Sequence, residues 1–185
     1  MPAVLAILII LAACGSDYPA PVFIESPDCE DLQHGVLPVT DLTLSTDGID
    51  ITLQVEIANN SSKRTQGFMC RESIAPGTGM LFTYVSDRTN GFWMYNTFTS
   101  IDILYINQAG EVVDKLTMSP CQREPESESD EIWKLRCATD SAEYVPKKPW
   151  RYVLELPADW LADQNVSDTV VLSMSVTSSE LTIEQ

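Results

Sequence analysis

Apolar and polar residues alternate without a break from Ile49 to Ile57, which is the clearest pattern in the chain. A period of two places successive side chains on opposite faces, so this stretch predicts a half-buried β-strand. Asn60 and two serines follow it. Because these residues favour the position before a helix, they predict a short helix running to about Met69. Other apolar runs predict further strands, at 79–82, 91–94, 101–106, 111–116, 150–156 and 169–176.

Turn-forming residues divide several of these runs. Residues 107–110 predict a turn, so the apolar runs before and after them are expected to form a hairpin. Residues 157–164 predict a helix with Pro157 in its first turn. Many short strands with two short helices predict a mainly β, single-domain body of sandwich or barrel-like type.

The hydrophilic segment 123–136 differs from the rest of the chain. It contains five acidic residues with serines between them, which are Glu124, Glu126, Glu128, Asp130 and Glu131. Like charges at this spacing repel one another, so the segment predicts a solvated loop. Calcium binding by these carboxylates is the alternative, but their spacing does not follow the order of an EF-hand.

Residues 3–13 form an uncharged apolar run that ends directly before Cys14. The run is shorter than the roughly 20 apolar residues of a bilayer-spanning helix, and it has the length of the hydrophobic region of a secretory signal. Small residues before a cysteine resemble the lipobox of bacterial lipoproteins, in which the leader is removed and the cysteine takes lipid. We therefore expect cleavage before Cys14 and lipid at its thiol. A buried helix ending in a cysteine is the alternative, and no Lys or Arg precedes the run.

A lipid at Cys14 implies the bacterial cell envelope, and Gly15 after it is compatible with the outer membrane, facing the periplasm. The net charge of −16 argues against nucleic acid as a partner, because phosphate binding needs clustered Lys and Arg. It also opposes attraction to anionic lipid, so the acyl chain is the expected membrane contact. The predicted organisation is a signal peptide at 1–13, a lipidated tether at 14–39, a β domain at 40–176 and a tail at 177–185.

Six short motifs follow one another between residues 67 and 158. They are Gly67-Phe68-Met69-Cys70-Arg71, Gly79-Met80-Leu81-Phe82, Phe92-Trp93-Met94-Tyr95-Asn96-Thr97, Ile101-Asp102-Ile103, Pro120-Cys121 and Tyr152-Val153-Leu154-Glu155-Leu156-Pro157-Ala158. In this order they resemble the domain of unknown function 192 family, over roughly residues 40 to 176. The resemblance implies a compact, mainly β domain of sandwich type, in a family whose biochemical role is unsettled. The chain departs from the family at Tyr95, where lysine is usual, and at Asp159, where glycine is common.

Four cysteines follow the one assigned to lipid, and an even number in an exported chain predicts disulfides. They are Cys29, Cys70, Cys121 and Cys137, and three pairings exist. Cys121 and Cys137 flank the hydrophilic segment and are expected to staple it, as is common in exported members of the resembled family. Cys29 then pairs with Cys70. No CxxC occurs and His34 is the single histidine, so neither a metal site nor a cofactor is expected.

Aromatic and polar side chains adjoin in the third motif and its surroundings. The candidate ligand-binding residues are Arg71, Arg88, Trp93, Tyr95, Asn96, Thr97 and Asp102. In one hypothesis, Arg71, Asn96 and Asp102 form a buried network that fixes the helix against the sheet. In the other, these residues form the floor of a pocket for a small polar ligand such as a sugar, with Trp93 or Tyr95 as an apolar wall.

Catalysis is not expected from these residues. A chain whose single histidine lies in a predicted loop lacks the base of a Ser-His or Cys-His pair. Paired carboxylates remain, with Asp102 and either Glu72 or Glu155 as the candidates. The predicted function is non-catalytic binding of a small polar or saccharide ligand by a lipid-anchored envelope protein. The alternatives are an accessory protein that binds another envelope protein, and a carboxylate-based hydrolase.

Overall fold

The computed structural model describes residues 18–30, 35–46, 48–124, 128–166 and 173–176. The predicted signal peptide, Cys14, His34 and the tail lie outside these ranges. The strands are β1 (Val39–Thr46), β2 (Ile49–Ala58), β3 (Thr78–Arg88), β4 (Ile101–Ile106), β5 (Val112–Met118), β6 (Trp150–Pro157) and β7 (Ser173–Val176). The helices are α1 (Ser61–Gln66), α2 (Asp130–Asp140) and α3 (Trp160–Asp163), with short 3-10 helices at Pro27–Cys29 and Ser141–Tyr144.

The seven strands form a single mixed sheet in the order β5-β4-β6-β3-β2-β1-β7. β2 and β3 are parallel, and the other neighbouring strands are antiparallel. β7 lies at one edge of this sheet and β5 at the other. The two edges meet beside the turn before β5, where the N–H of Met174 in β7 donates to the carbonyl of Gly110 at 2.7 Å. A Cβ at Gly110 would lie only 2.8 Å from the Met174 oxygen, so this approach requires glycine. The sheet therefore curls into a barrel-like body, and the predicted mainly β, single-domain fold is confirmed.

Side chains on the two faces of the sheet form two apolar clusters, because successive residues of a strand point to opposite faces. The inner cluster, inside the barrel, consists of Leu42, Leu44, Leu53, Val55, Ile57, Leu81, Leu104, Ile106, Leu154, Leu156, Trp160, Leu161 and Val166. The outer cluster consists of Ala58, Phe68, Met69, Ile74, Met80, Phe82, Met94, Tyr95, Ile101, Ile103, Tyr105, Met118, Cys121, Trp133, Cys137, Trp150 and Val153. It includes Trp133 and Cys137 of α2 and Met94 and Tyr95 of the segment 89–100, which cover this face.

α1 begins at the residue that its sequence predicts. The Asn60 side-chain oxygen accepts a hydrogen bond from the N–H of Lys63 at 3.0 Å, which satisfies a free donor of the first turn. Gly67 follows the last helical residue with a φ of 45°. The helix therefore ends at Gln66, earlier than the predicted end near Met69.

The hydrophilic segment 123–136 is not a loop throughout, because its second half forms the beginning of α2. This part of the sequence prediction is wrong, and the expected two helices are three. Ser129 caps α2 by accepting a backbone N–H, and two acids in the first turn favour the positive end of the helix. Trp133 and Cys137, four residues apart, are buried in the outer cluster. The acids therefore stabilise the beginning of a helix whose apolar face is held against the sheet.

The stretch 91–94 is not a strand, in contrast to the sequence prediction. It belongs to the segment 89–100, which crosses the outer face of the sheet and buries Met94 there. Gly91 lies so close to the backbone of Tyr144 that a Cβ would be 2.9 Å from it. The apolar residues of this stretch cover the sheet instead of joining it.

The predicted helix at 157–164 is shorter in the structure. β6 continues through Pro157, and Asp159 adopts a left-handed conformation with φ of 64° before α3 begins at Trp160. This left-handed residue separates the strand from the helix.

The sequence reading also lacked β1, which pairs with β2 along its whole length.

Both expected disulfides are present, Cys121–Cys137 with an S–S distance of 2.04 Å and Cys29–Cys70 with 2.05 Å. The second holds the N-terminal segment, residues 18–30, against the body, and backbone hydrogen bonds add to this contact. Part of the predicted tether is therefore packed on the domain. Among the residues that the structure describes, no helix is long and apolar enough to cross a membrane.

Candidate functional site

A pocket opens on the outer face of the sheet, between the end of α1 and the segment 89–100. We call it the inner pocket, because a wider cleft adjoins it, and its cavity volume is about 40 Å³. It has room for a few water-sized groups, since one water needs roughly 10–15 Å³. Five aromatic side chains line it, which are Phe68, Phe82, Phe92, Trp93 and Tyr95. Glu155 lines the side that the sheet provides.

The inner pocket adjoins a wider outer cleft of about 300 Å³. Arg64, Thr65, Phe92 and Trp93 line both spaces, so the two are continuous at these residues. The outer cleft has the volume of a small-ligand site. A ligand can therefore place a small head group in the inner pocket and the rest of its structure in the cleft.

Glu155 is the buried acid of the inner pocket. β6 places it between Met80 of β3 and Ile103 of β4, its neighbours across the sheet. The residue is 5% exposed, and no described residue gives its carboxyl a hydrogen bond or an ion pair. Burial raises the pKa of the Glu155 carboxyl to about 8, because a charge is poorly solvated in apolar surroundings. At neutral pH the group is mostly protonated and can donate a hydrogen bond to a ligand.

Two guanidinium groups flank Tyr84 at the outer cleft. The Cζ atoms of Arg64 and Arg88 lie 4.6 and 5.5 Å from the centre of the Tyr84 ring. Arg64 Nη1 also donates to the carbonyl of Thr83 at 3.0 Å. Within the described ranges no carboxylate pairs with Arg64, so its charge is available to a ligand in the cleft.

Three of the predicted site residues line the inner pocket, namely Trp93, Tyr95 and Thr97. Trp93 is 39% exposed, and its ring centre lies 5.3 Å from that of Tyr95. Tyr95 packs in turn on Trp133 of α2, with ring centres 4.5 Å apart. Contacts between aromatic rings stabilise this wall of the pocket.

Arg71 does not line the pocket; it forms a buried ion pair with Glu56 of β2. Its two terminal nitrogens lie 2.6 and 2.8 Å from the two oxygens of Glu56. Glu56 also accepts from the Tyr18 hydroxyl at 2.6 Å and from the N–H of Leu37 at 2.8 Å. Burial, and then the neighbouring Glu56, raise the pKa of the Tyr18 hydroxyl. The pair therefore anchors the N-terminal segment, which contains Tyr18.

Asn96 and Asp102 each hold backbone in place. Asn96 has a φ of 53°, and its side-chain amide donates to the carbonyl of Asp28 at 2.9 Å. Asp102 accepts from the Thr117 hydroxyl at 2.6 Å and from the N–H of Asp159 at 3.0 Å. The first contact links the loop of Asn96 to the N-terminal segment. The second fixes the left-handed residue before α3.

The three residues of the predicted network are buried but separate. No hydrogen bond between described residues joins Arg71, Asn96 and Asp102, so each anchors a different part of the fold. Asp102 and Glu155 do not form a catalytic pair either. β4 places Asp102 opposite Leu156 and places the next residue opposite Glu155, so the two acids point to opposite faces of the sheet.

Sequence reasoning weighed Glu155 only as a catalytic partner and missed it as the acid of a binding pocket. The available signal was one carboxylate inside the run Val153-Leu154-Glu155-Leu156, on the face that alternation assigns to Val153. A charged residue at a buried position of a strand needs a partner. Whether Glu155 has such a partner depends on the segments that cover the sheet, and the sequence of the strand alone does not show it.

The acids around the beginning of α2 pair with arginines. Glu128 lies 2.9 Å from Arg136, and the hydrogen bond from Arg136 lowers the pKa of Glu128 to about 2. Arg123 contacts both Asp28 and Asp130. In the part of the chain that the structure describes, no group of carboxylates, cysteines or histidines is arranged to hold a metal ion.

The sequence model of the DUF192 family, described as an uncharacterized ACR, matches residues 42–174. The chain belongs to the DUF192 family. This DUF192 protein is 33% identical over 109 residues to a UPF0127 protein of Pyrococcus abyssi, a match that covers 56% of the chain and 71% of the relative. A UPF0127 protein of Pyrococcus furiosus is 28% identical over 117 residues, with coverages of 60% and 78%.

Two solved structures are similar to the DUF192 protein. A Sinorhizobium meliloti 1021 protein, described as a candidate transcription regulator, has a TM-score of 0.57 and 27% identity, covering 78% of this chain and 98% of its own. A protein of unknown function from Novosphingobium aromaticivorans has a TM-score of 0.58 and 18% identity, covering 85% and 93%. In both cases the similarity extends over more than three quarters of the chain.

Proposed function

We propose that this DUF192 protein binds a small polar ligand, such as a saccharide, in the inner pocket and the outer cleft. The supporting observation is the buried Glu155 carboxyl, which has no described partner and lines an open pocket. A buried polar group without a partner costs about 1–3 kcal/mol, and a ligand that accepts its hydrogen bond removes that cost. Phe92 and Trp93 offer aromatic surface to the apolar side of such a ligand.

The proposal is one of binding without catalysis. Glu155 is the single carboxyl among the described residues that line the inner pocket and the outer cleft. A carboxylate-based hydrolase needs a second acid on the other side of the scissile bond. Asp102, which the sequence suggested as the partner of Glu155, lies on the opposite face of the sheet.

Transcription regulation, the description of the Sinorhizobium structure, is not the function we propose here. Binding to DNA depends on clustered Lys and Arg that displace counterions from phosphate. The chain has 11 of these residues against 27 Asp and Glu. Its charge therefore opposes contact with a nucleic acid.

A ligand screen tests the binding proposal. We expect one or more envelope glycans or small polar metabolites to raise the melting temperature of the purified protein. A ligand at 100 times its Kd stabilises the folded state by about 2.7 kcal/mol. Trp93→Ala, which removes a wall of the pocket, should abolish the shift, whereas Leu135→Ala on the exposed side of α2 should retain it. No shift with any compound, or a full shift with Trp93→Ala, contradicts the proposal.

The second part of the proposal is a lipid anchor at Cys14, with the protein at the outer membrane facing the periplasm. It is supported by the apolar run that ends in Leu11-Ala12-Ala13-Cys14-Gly15. Cells grown with labelled palmitate should incorporate the label into the protein, and Cys14→Ser should remove it. The double variant Cys121→Ser and Cys137→Ser is the control and should keep the label. Label that persists in Cys14→Ser rules out this anchor.

A further inference from the structure

The inner pocket combines aromatic walls with one acid, and the inference drawn from it rests on the ligand pocket proposed above. Glu155 closes the sheet side of a space surrounded by the rings of Phe68, Phe82, Phe92, Trp93 and Tyr95. The faces of aromatic rings attract cations. A carboxyl among such rings is complementary to an ammonium group, which has three N–H donors and a positive charge.

The dimensions of the two spaces limit what each can hold. A cavity of about 40 Å³ admits a head group of a few heavy atoms but not a sugar ring. The outer cleft, at about 300 Å³, has room for the remainder of a small molecule. The group that reaches Glu155 must therefore be small and must lie at one end of the ligand.

Arg64 adds a second requirement, because it lines both the inner pocket and the outer cleft. It does not pair with Glu155 or with any other acid among the described residues, and its one hydrogen bond to Thr83 leaves further N–H donors for a ligand. A guanidinium at this place repels a ligand that carries a positive charge alone. It attracts a carboxylate, to which it can donate two hydrogen bonds.

We propose that the DUF192 protein binds a zwitterion of the amino-acid class, with the ammonium group at Glu155 and the carboxylate at Arg64. An α-amino acid carries both groups on one carbon, so both belong to the small head group that the inner pocket admits. Its side chain extends into the outer cleft and contacts Trp93. An uncharged sugar leaves the guanidinium of Arg64 without an opposite charge.

Binding of the ammonium group changes the protonation of the pocket. The free Glu155 carboxyl is mostly protonated at pH 7, because its pKa is about 8. An ammonium group beside it favours the carboxylate, so the proton leaves to solvent. Within the described part of the chain, the other titratable or charged groups around Glu155 are Arg64 of α1, Tyr84 of β3, Tyr105 of β4 and Tyr95. Burial raises the pKa values of Tyr84 and Tyr105, so these hydroxyls do not supply the proton at pH 7.

A screen of the twenty common L-amino acids tests the proposal with the full protein. We expect one or more of them to raise the melting temperature and to bind in calorimetry. For the amino acid that binds, the decarboxylated amine and the deaminated acid remove one charge each, and each should bind at least tenfold more weakly. Calorimetry at pH 7 in two buffers of different ionisation enthalpy should show release of close to one proton for each amino acid bound.

Two variants test which charged group of the ligand each residue binds. Glu155→Gln keeps the shape of the side chain and should weaken binding at least tenfold and abolish proton release, whereas the exposed Glu72→Gln should change neither. Arg64→Gln should weaken binding of the amino acid but not of its decarboxylated amine, and Lys148→Gln is the exposed control. The melting temperature of each variant without ligand shows that it is folded.

The outcomes separate this inference from the broader binding proposal. A saccharide that shifts the melting temperature, with no shift from any amino acid, overturns the zwitterion and leaves the ligand pocket standing. An amine that binds as tightly as its amino acid overturns the role of Arg64. Binding of an amino acid that Glu155→Gln and Trp93→Ala both leave unchanged places the ligand elsewhere and overturns both proposals.

Discussion

Glu155 shows what a single residue contributes to a buried face. Its carboxyl has a pKa of about 8 in the folded protein, against an ordinary value of 4.5. Between these values the folded chain holds a proton that the unfolded chain has lost. Protonation of Glu155 therefore stabilises the folded state fully below pH 4.5, and this stabilisation is lost as the pH rises toward 8.

Glu155→Gln should remove this dependence, because an amide does not titrate. Relative to the native protein, the free energy of unfolding of the variant should rise by about 4 kcal/mol between pH 4 and pH 8, since each pKa unit corresponds to about 1.4 kcal/mol. Urea unfolding at pH 4, 6 and 8 measures the difference. Glu72→Gln, at an exposed position, is the control and should show no such rise. A constant difference between Glu155→Gln and the native protein contradicts a protonated Glu155.

α2 is the element that joins the disulfide, the pocket wall and the sheet. Trp133 is its main contact, since its ring packs on Tyr95 and lies 4.4 Å from the guanidinium carbon of Arg123. The Trp133 indole N–H donates to the carbonyl of Cys121 at 2.9 Å. A change at Trp133 therefore affects a residue that lines the inner pocket.

Trp133→Ala should lower the free energy of unfolding by about 3–5 kcal/mol, because a large buried side chain leaves a cavity. It should also weaken ligand binding, since Tyr95 loses the ring against which it packs. Leu135→Ala, at a residue of the same helix that is 69% exposed, should change stability by no more than about 0.5 kcal/mol. Denaturant unfolding of both variants measures the difference. Equal effects of the two substitutions would show that α2 is not held by its buried face.

The elements also show how far the sequence determines the structure. The unbroken alternation from Ile49 to Ile57 predicted β2, and the turn before Glu111 predicted the β4–β5 hairpin, because both signals are local. α2 was missed because a local reading took its first acids as repelling charges. They lie where a helix favours them, and the burial of Trp133 depends on a sheet formed elsewhere in the chain.

The candidate site was predictable only in part, for the same reason. Trp93, Tyr95 and Thr97 belong to one motif and line one pocket. Glu155 joins them from a strand more than fifty residues later, because β6 lies between β4 and β3 in the sheet. Strand order is a property of the whole sheet. No spacing within a single motif reveals it.

At the scale of the whole molecule, the ion pair between Arg71 and Glu56 joins three distant parts of the chain. Glu56 receives hydrogen bonds from Tyr18 and Leu37 as well as from Arg71. The Cys29–Cys70 disulfide lies in the adjoining sequence. The N-terminal segment is thus connected to the body by a covalent and an ionic contact.

Arg71→Met should lower the free energy of unfolding by about 3–5 kcal/mol, because it leaves the Glu56 charge buried without its ion-pair partner. Arg151→Met is the matched control. Arg151 pairs with Asp87, a half-exposed partner, and the loss should be no more than about 1 kcal/mol. Unfolding in urea compares the two variants. A loss for Arg71→Met that is as small as that for Arg151→Met contradicts a structural role for the buried pair.

The hydrogen bond from Tyr18 to Glu56 also limits how far Cys14 can lie from the folded body. Four residue steps separate Cys14 from Tyr18, and a fully extended chain spans at most about 3.6 Å per residue, or roughly 14 Å in all. With a lipid on Cys14, the attachment point of the folded body is therefore within roughly 14 Å of the headgroups. On the proposal of a lipid at Cys14, this distance would keep the folded body close to the membrane. A molecule that it binds would have to be met close to the membrane surface.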